Sequence, residues 1–119
     1  MVISVIGSRG FANYEQLTQE LDNLVRTTGQ PITAIVSGGA LGADTMAAEY
    51  ARERGIDLVV HRPDYAKFGR LAPLIRNQAI IDACTLVVAF WDGRSKGTAH
   101  SLRLAKRRGI KMVVIVPLP

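Results

Sequence analysis

Apolar residues fall along this chain in two rhythms. Short, almost uninterrupted apolar runs occupy residues 2–6, 32–36, 58–60, 86–90 and 112–116. Runs of that length, rich in Val and Ile, read as strands buried on both faces, as in a parallel sheet. Between them the apolar positions come three and four apart, first at Tyr14, Leu17, Leu21, Leu24 and Val25, then at Ala43, Met46, Ala47, Tyr50 and Ala51. The same spacing returns at Leu71, Leu74, Ile75, Ala79 and Ile80, and again at Ala99, Leu102 and Ala105. Each stripe predicts a helix with one face on a core. Boundary residues agree: Asn13 stands where it can cap the first helix, Gly29 and Pro31 stop it, Gly55 closes the second, and Gly109 ends the fourth. Pro73 is tolerable in a first turn, Asp82 marks the end of the third helix, and the fourth begins near Thr98. Residues 61–70 read as a polar connection.

Strand and helix alternate from end to end, with no repeat, linker or low-complexity tract between them. That alternation predicts one α/β domain spanning residues 1–119, a three-layer unit with five parallel strands, right-handed crossovers and helices on both faces. In such sheets ligands lie beyond the carboxyl ends of the strands, where strand order reverses. With the first strand central, in the order 3-2-1-4-5, the crevice falls between strands one and four. Loops after strands one, two and four then converge on it.

Those loops share one chemistry. Residues 35–44 run from an apolar strand through Ser37, Gly38, Gly39, Ala40 and Gly42 into a helix that begins at Ala43. Gly7-Ser8-Arg9-Gly10 follows the first strand, and Gly93-Arg94-Ser95-Lys96-Gly97-Thr98 follows the fourth. Glycine lets the main chain approach a ligand, and the free N–H groups of a following helix, with its dipole, favour an anion such as phosphate. Neither familiar phosphate fingerprint is met: Gly38-Gly39-Ala40-Leu41-Gly42 is not G-x-G-x-x-G, and no loop ends in Gly-Lys-Ser/Thr. No acidic residue closes the second strand to hold a dinucleotide ribose, which disfavours an NAD-dependent dehydrogenase. Ser37 and Ser95 have no Ser-His-Asp partnership, so no catalytic nucleophile is assigned. His61, His100 and the single Cys84 do not make a metal set, and neither metal nor cofactor is expected.

Charge and cysteine content narrow the setting. A 119-residue chain that is nearly half apolar can bury a core. One cysteine allows no internal disulfide, and Cys84 reads as a small buried hydrophobe. No apolar run approaches the roughly 20 residues that span a bilayer, so a cytoplasmic protein is expected. The net charge of +5 is uneven: Arg94, Lys96, Arg103, Lys106, Arg107, Arg108 and Lys111 lie late in the chain, and no Asp or Glu follows Asp92. Such a cluster is either a nucleic-acid face or the solvated side of a helix whose last turn carries cations that offset its dipole.

Together Gly7-Ser8-Arg9, Ser37-Gly38-Gly39-Ala40 with Gly42-Ala43-Asp44, Ile75-Arg76-Asn77, and Trp91-Asp92-Gly93 with Ser95, Gly97 and Thr98 resemble the SLOG superfamily. This superfamily takes in the Smf/DprA DNA-processing proteins, YpsA and the LOG enzymes. The likeness covers nearly the whole chain and is nearest the small stand-alone YspA, cpYpsA-related SLOG family. It implies a Rossmann-like fold that binds a nucleotide or nucleotide-derived ligand, and a homo-oligomer. Carried over, it brings Gly38, Gly39, Gly42, Gly93 and Gly97 to phosphate, adds the Thr98 hydroxyl, and sets Arg76 over the ligand beside Asn77, with Arg9 at the mouth. Asp44 either caps its helix or meets a ribose; Asp92 forms a turn or accepts from a ribose hydroxyl; Trp91 stacks a base or closes the core. LOG enzymes, which cut the N-glycosidic bond of a nucleoside monophosphate, pair an arginine with a glutamate. Arg76 is the counterpart of the arginine and the one catalytic candidate, but Ser101 stands at the glutamate's place. A hydroxyl cannot replace a carboxylate as acid or base near neutral pH. Glu49 is the conceivable substitute, although its helix points it sideways or outward. Three functions follow for testing: a nucleotide-binding module, a LOG-type hydrolase, or single-stranded DNA binding of the DprA kind.

Overall fold

The computed structural model describes all 119 residues. Five strands, β1 (Val2–Gly7), β2 (Ala34–Ser37), β3 (Asp57–Val60), β4 (Leu86–Phe90) and β5 (Lys111–Ile115), form one parallel sheet in the order β3-β2-β1-β4-β5. This is the expected order, with the reversal between β1 and β4. Helices α1 (Tyr14–Thr28), α2 (Ala43–Arg54), α4 (Ala72–Asp82) and α5 (Lys96–Arg108) supply the outer layers, and a short α3 (Tyr65–Phe68) leads through a 3-10 turn (Gly69–Leu71) into α4.

Strand alternation divides the core in two. Ile3, Val5, Ile35, Leu86, Val88 and Phe90 face α1 and α2, meeting Leu17, Leu21, Ala47 and Tyr50. Ile6, Val36, Val87 and Ala89 face the other way onto Ile80 and Ile81 of α4 and Leu104 and Ala105 of α5. β1 and β4 are buried almost throughout because each is flanked by strands and covered on both faces, which is why their sequences carry no polar alternation. Asn13 caps α1 as expected, its Oδ1 accepting from the Gln16 N–H at 2.9 Å. α1 and α2 are tied by Asp22, which accepts from the Tyr50 hydroxyl at 2.7 Å and from the Arg54 guanidinium at 2.8 Å. Burial first, and then the Asp22 carboxylate, push the Tyr50 hydroxyl up to about 12. Cys84 is buried, which raises its thiol pKa.

Four elements depart from the sequence reading. The connection over residues 61–70 holds α3, begun by Asp64, whose carboxylate accepts from the Lys67 N–H at 3.1 Å. The third apolar stripe splits: Ile80 is buried, but Leu71, Leu74 and Ile75 are exposed, and the first turn of α4 buries Ala72 instead. α5 starts at Lys96 rather than Thr98, and its buried stripe is Thr98, Ser101, Leu104 and Ala105, with Ala99 and Leu102 only half-buried. β3 is exposed along its whole length despite its apolar sequence. No helix is long and apolar enough to cross a membrane.

Candidate functional site

At the carboxyl ends of β1, β2 and β4 lies a cleft of about 500 Å³, within the range of small-molecule sites. Its walls come from four places. The loop after β1 contributes Gly7, Ser8, Arg9 and Gly10; the loop after β2 contributes Gly38, Ala40 and, from the first turn of α2, Asp44. α4 contributes Pro73, Arg76, Asn77 and Ile80. The loop after β4 and the start of α5 bring Asp92, Ser95, Gly97, Thr98 and Ser101.

Arg76 is held but not neutralised. Its Nη1 donates to the Gly38 carbonyl at 3.0 Å and its Nε to Asn77 Oδ1 at 3.0 Å, and it makes no salt bridge. Asn77 is buried, and its Nδ2 donates to His100 Nδ1 at 3.1 Å. This assigns the neutral imidazole with its proton on Nε2. Burial, and then the charges of Arg103 and Arg107, hold the His100 pKa below its ordinary value. His100 therefore orients Asn77, and Asn77 orients the guanidinium.

The two aspartates in the cleft mostly serve the backbone. Asp44 does not cap α2, whose N-cap is Gly42; its Oδ2 accepts from the Ala40 N–H at 3.0 Å and fastens the glycine loop. Burial raises its pKa, against the lowering effect of the Ala40 hydrogen bond and Arg76. Asp92 Oδ1 accepts from the N–H groups of Arg94 and Ser95 at 2.8 and 2.9 Å, a turn-forming contact, and these bonds lower its pKa. The Asp92 N–H donates to the Ser8 hydroxyl at 3.1 Å and so joins the first and third loops. No side chain caps the N-terminus of α5, whose first-turn residues Gly97 and Thr98 line the cleft.

Ser37, Gly39, Gly42 and Gly93 do not line the cleft. Ser37 is buried under α2, its hydroxyl without a partner. Gly39 turns toward β3, where its carbonyl accepts from Arg62 at 3.2 Å. At Gly42 (φ 81°) an added Cβ would lie 2.4 Å from the Ser8 carbonyl oxygen and 2.5 Å from that of Arg9. Its lack of a side chain serves the packing of one loop on another. Gly93 is a positive-φ turn residue. Trp91 is half-buried, its indole N–H donating to the Ser95 carbonyl at 3.1 Å, and it does not reach the cleft. Glu49 is exposed and paired with Arg52, away from the cleft. Ile6, Pro73 and Ile80 are wall residues that no motif marked.

Comparison with known proteins bears on this architecture. Residues 1–68 match the model of the YspA, cpYpsA-related SLOG family, more than half of the chain. The chain belongs to that family. Gene 61 protein of Mycobacterium phage D29 is 36% identical to it over 85 residues, covering 66% of this chain and 68% of that protein. Among solved structures, this SLOG protein superposes on DNA processing protein A of Helicobacter pylori, described for its single-stranded DNA binding mode, with a TM-score of 0.71 at 23% identity. It superposes on DprA of Streptococcus pneumoniae with a TM-score of 0.72 at 18% identity. At such identities the likeness is one of fold. The SLOG chain is 96% and 94% covered in the two comparisons but spans only 64% and 49% of those chains.

Proposed function

We propose that this cleft binds a nucleotide or a nucleotide-derived phosphorylated ligand. The observation that carries the reading is convergence: three loops at strand ends, far apart in sequence, border one cavity together with an arginine whose guanidinium has hydrogen-bond capacity left. An uncapped helix terminus at Gly97 and Thr98 suits the phosphate, since main-chain amides and the helix dipole both favour an anion there. Arg76, anchored by Gly38 and Asn77, suits a second contact to the same charge, and a planar guanidinium can grip it with two N–H groups. Asp92 keeps one carboxylate oxygen outside its turn for a ligand hydroxyl. Membership of a SLOG family supports this class of ligand. In this proposal residues 1–119 act as one nucleotide-binding domain.

The experiment is a thermal-shift screen against nucleoside mono-, di- and triphosphates, ADP-ribose-like compounds and inorganic phosphate. A ligand at a hundredfold excess over its Kd stabilises by about 2.7 kcal/mol, a readily measured shift. Arg76→Ala should abolish the shift. A panel that leaves the melting temperature unmoved at millimolar ligand overturns the reading.

A second reading, single-stranded nucleic acid, draws on one specific observation. Lys96, Arg103, Lys106 and Arg107 are exposed on the helix whose first turn borders the cleft, so a cation track leads away from it. The DprA folds give this reading its precedent. It requires an affinity for oligonucleotides that falls steeply with salt; no retention of single-stranded DNA at low salt rejects it.

A further inference from the structure

Most of the large apolar side chains left exposed belong to one continuous stretch of the chain. They begin with Leu58, Val59 and Val60 on β3 and continue through Tyr65, Phe68 and Leu71 to the start of α4. β3 is an edge strand, bonded to β2 on one side only. Natural edges are blunted by lysine, proline, bulges or a covering element. This one has none of them between Asp57 and Val60.

We infer that β3 pairs with β3 of a second copy of this chain, antiparallel, about a two-fold axis through Val59. The backbone settles the register. The His61 N–H donates inward to the Ser37 carbonyl at 2.8 Å, so Asp57, Val59 and His61 turn their main-chain groups toward β2. Leu58 and Val60 turn theirs outward by the alternation of a strand. Placed about Val59, Leu58 of each copy lies opposite Val60 of the other as a hydrogen-bonded pair, and four N–H···O bonds form across the axis. The two Val59 residues make the close, non-bonded pair at the centre.

The side chains agree with that placement. Val59 lies beside Val36, on the sheet face that α4 covers, whereas Leu58 and Val60 follow Ile35 and Ser37 on the α2 face. A two-fold axis perpendicular to the sheet keeps these faces distinct, so Val59 meets Val59 and Leu58 meets Val60. Asp57 of each copy then falls opposite His61 of the other, a carboxylate beside an imidazole. A second copy thus satisfies the edge amides, the apolar β3 side chains and the charges together, and the isologous contact closes after two subunits.

Sedimentation velocity of the full chain at micromolar concentration should give a discrete dimer. Val59→Lys should convert it to monomer while circular dichroism stays unchanged. Val59→Cys should form an intermolecular disulfide under mild oxidation, because Cα atoms of a non-bonded antiparallel pair stand about 4.5 Å apart, inside the disulfide range. Val114→Cys, on the opposite sheet edge, should not; Cys84 is buried and does not interfere. A monomeric wild type, open-ended oligomers that grow with concentration, or a dimer that survives Val59→Lys without a Val59→Cys cross-link would each overturn the pairing.

Discussion

Gly42→Ala should be the most damaging single-methyl change in this protein, because two independent penalties fall on one atom. Gly42 has φ 81° and ψ −123°, a conformation that residues with a Cβ rarely hold; such backbone strain costs about 1–3 kcal/mol. The new Cβ would also lie 2.4, 2.5 and 2.7 Å from three main-chain atoms of Ser8 and Arg9. Main chain cannot rotate aside as a flexible side chain can, so one loop must be displaced, and overpacking of that kind costs about 1–3 kcal/mol more. The sum is about 2–6 kcal/mol. For a domain of this size each kcal/mol lowers the melting temperature by about 4 °C, so the variant should melt about 8 °C or more below wild type by circular dichroism. Gly97→Ala is the control. An added Cβ there meets nothing within 4 Å, and its φ is not positive. Removing a helical glycine should leave stability unchanged or raise it by up to about 1 kcal/mol, while the methyl intrudes on the cleft and weakens the ligand. A Gly42→Ala protein that melts within about 2 °C of wild type would refute the assignment of this glycine to loop packing.

Other changes should act through equally identifiable contacts. Tyr50→Phe removes the hydroxyl that donates to Asp22 at 2.7 Å and should cost about 1 kcal/mol in urea unfolding, leaving Asp22 its Arg54 partner. Asp92→Ala removes the acceptor for two loop amides. Because the folded pKa of Asp92 is lowered, its contribution is present above the unfolded carboxylate pKa and lost as pH falls through the folded one; the melting-temperature gap between wild type and variant should therefore close on acidification. His100 has its folded pKa below the unfolded value, so the unfolded chain binds the extra proton first. Stability supported by the neutral ring is complete above the unfolded His pKa and declines as pH falls through the window down to the folded one; a two-dimensional NMR titration placing the His100 pKa at or above the ordinary value would contradict this.

How much of this was readable beforehand depended on whether the cause was local. β4 and its buried flanks were legible because an uninterrupted apolar run has no other use in an alternating α/β chain. Asn13 was legible because capping is a contact over three residues. The first turn of α4 was not, since Leu71, Leu74 and Ile75 have helical spacing whether or not a neighbour covers them, and the neighbour is a matter of topology. In the site, the loops could be placed from the strand order, yet the glycines could not be sorted. Gly38 faces the cleft, Gly39 faces β3 and Gly42 faces the first loop, and consecutive glycines carry no mark of direction. The link from His100 through Asn77 to Arg76 joins residues of two helices 23 positions apart. Neither histidine periodicity nor a motif reveals it.

α4 both lines the cleft and follows β3 in the chain through α3 and the 3-10 turn. The first half of this helix carries exposed Leu74 and Ile75 next to the cleft residues Arg76 and Asn77. Pairing across β3 would restrain the strand from which α3 and the 3-10 turn lead directly into α4, and a ligand on Arg76 would restrain α4 itself. Each event then reduces the ordering cost of the other, and coupling between two binding equilibria is reciprocal. Ligand affinity should therefore rise with protein concentration through the dimerisation range, and ligand should tighten the dimer by the same factor. Val59→Lys, which touches no cleft residue, should bind ligand more weakly than wild type and without concentration dependence. Equal affinities in the two proteins, with both shown to bind, would separate the sites and leave α4 a rigid spacer between them.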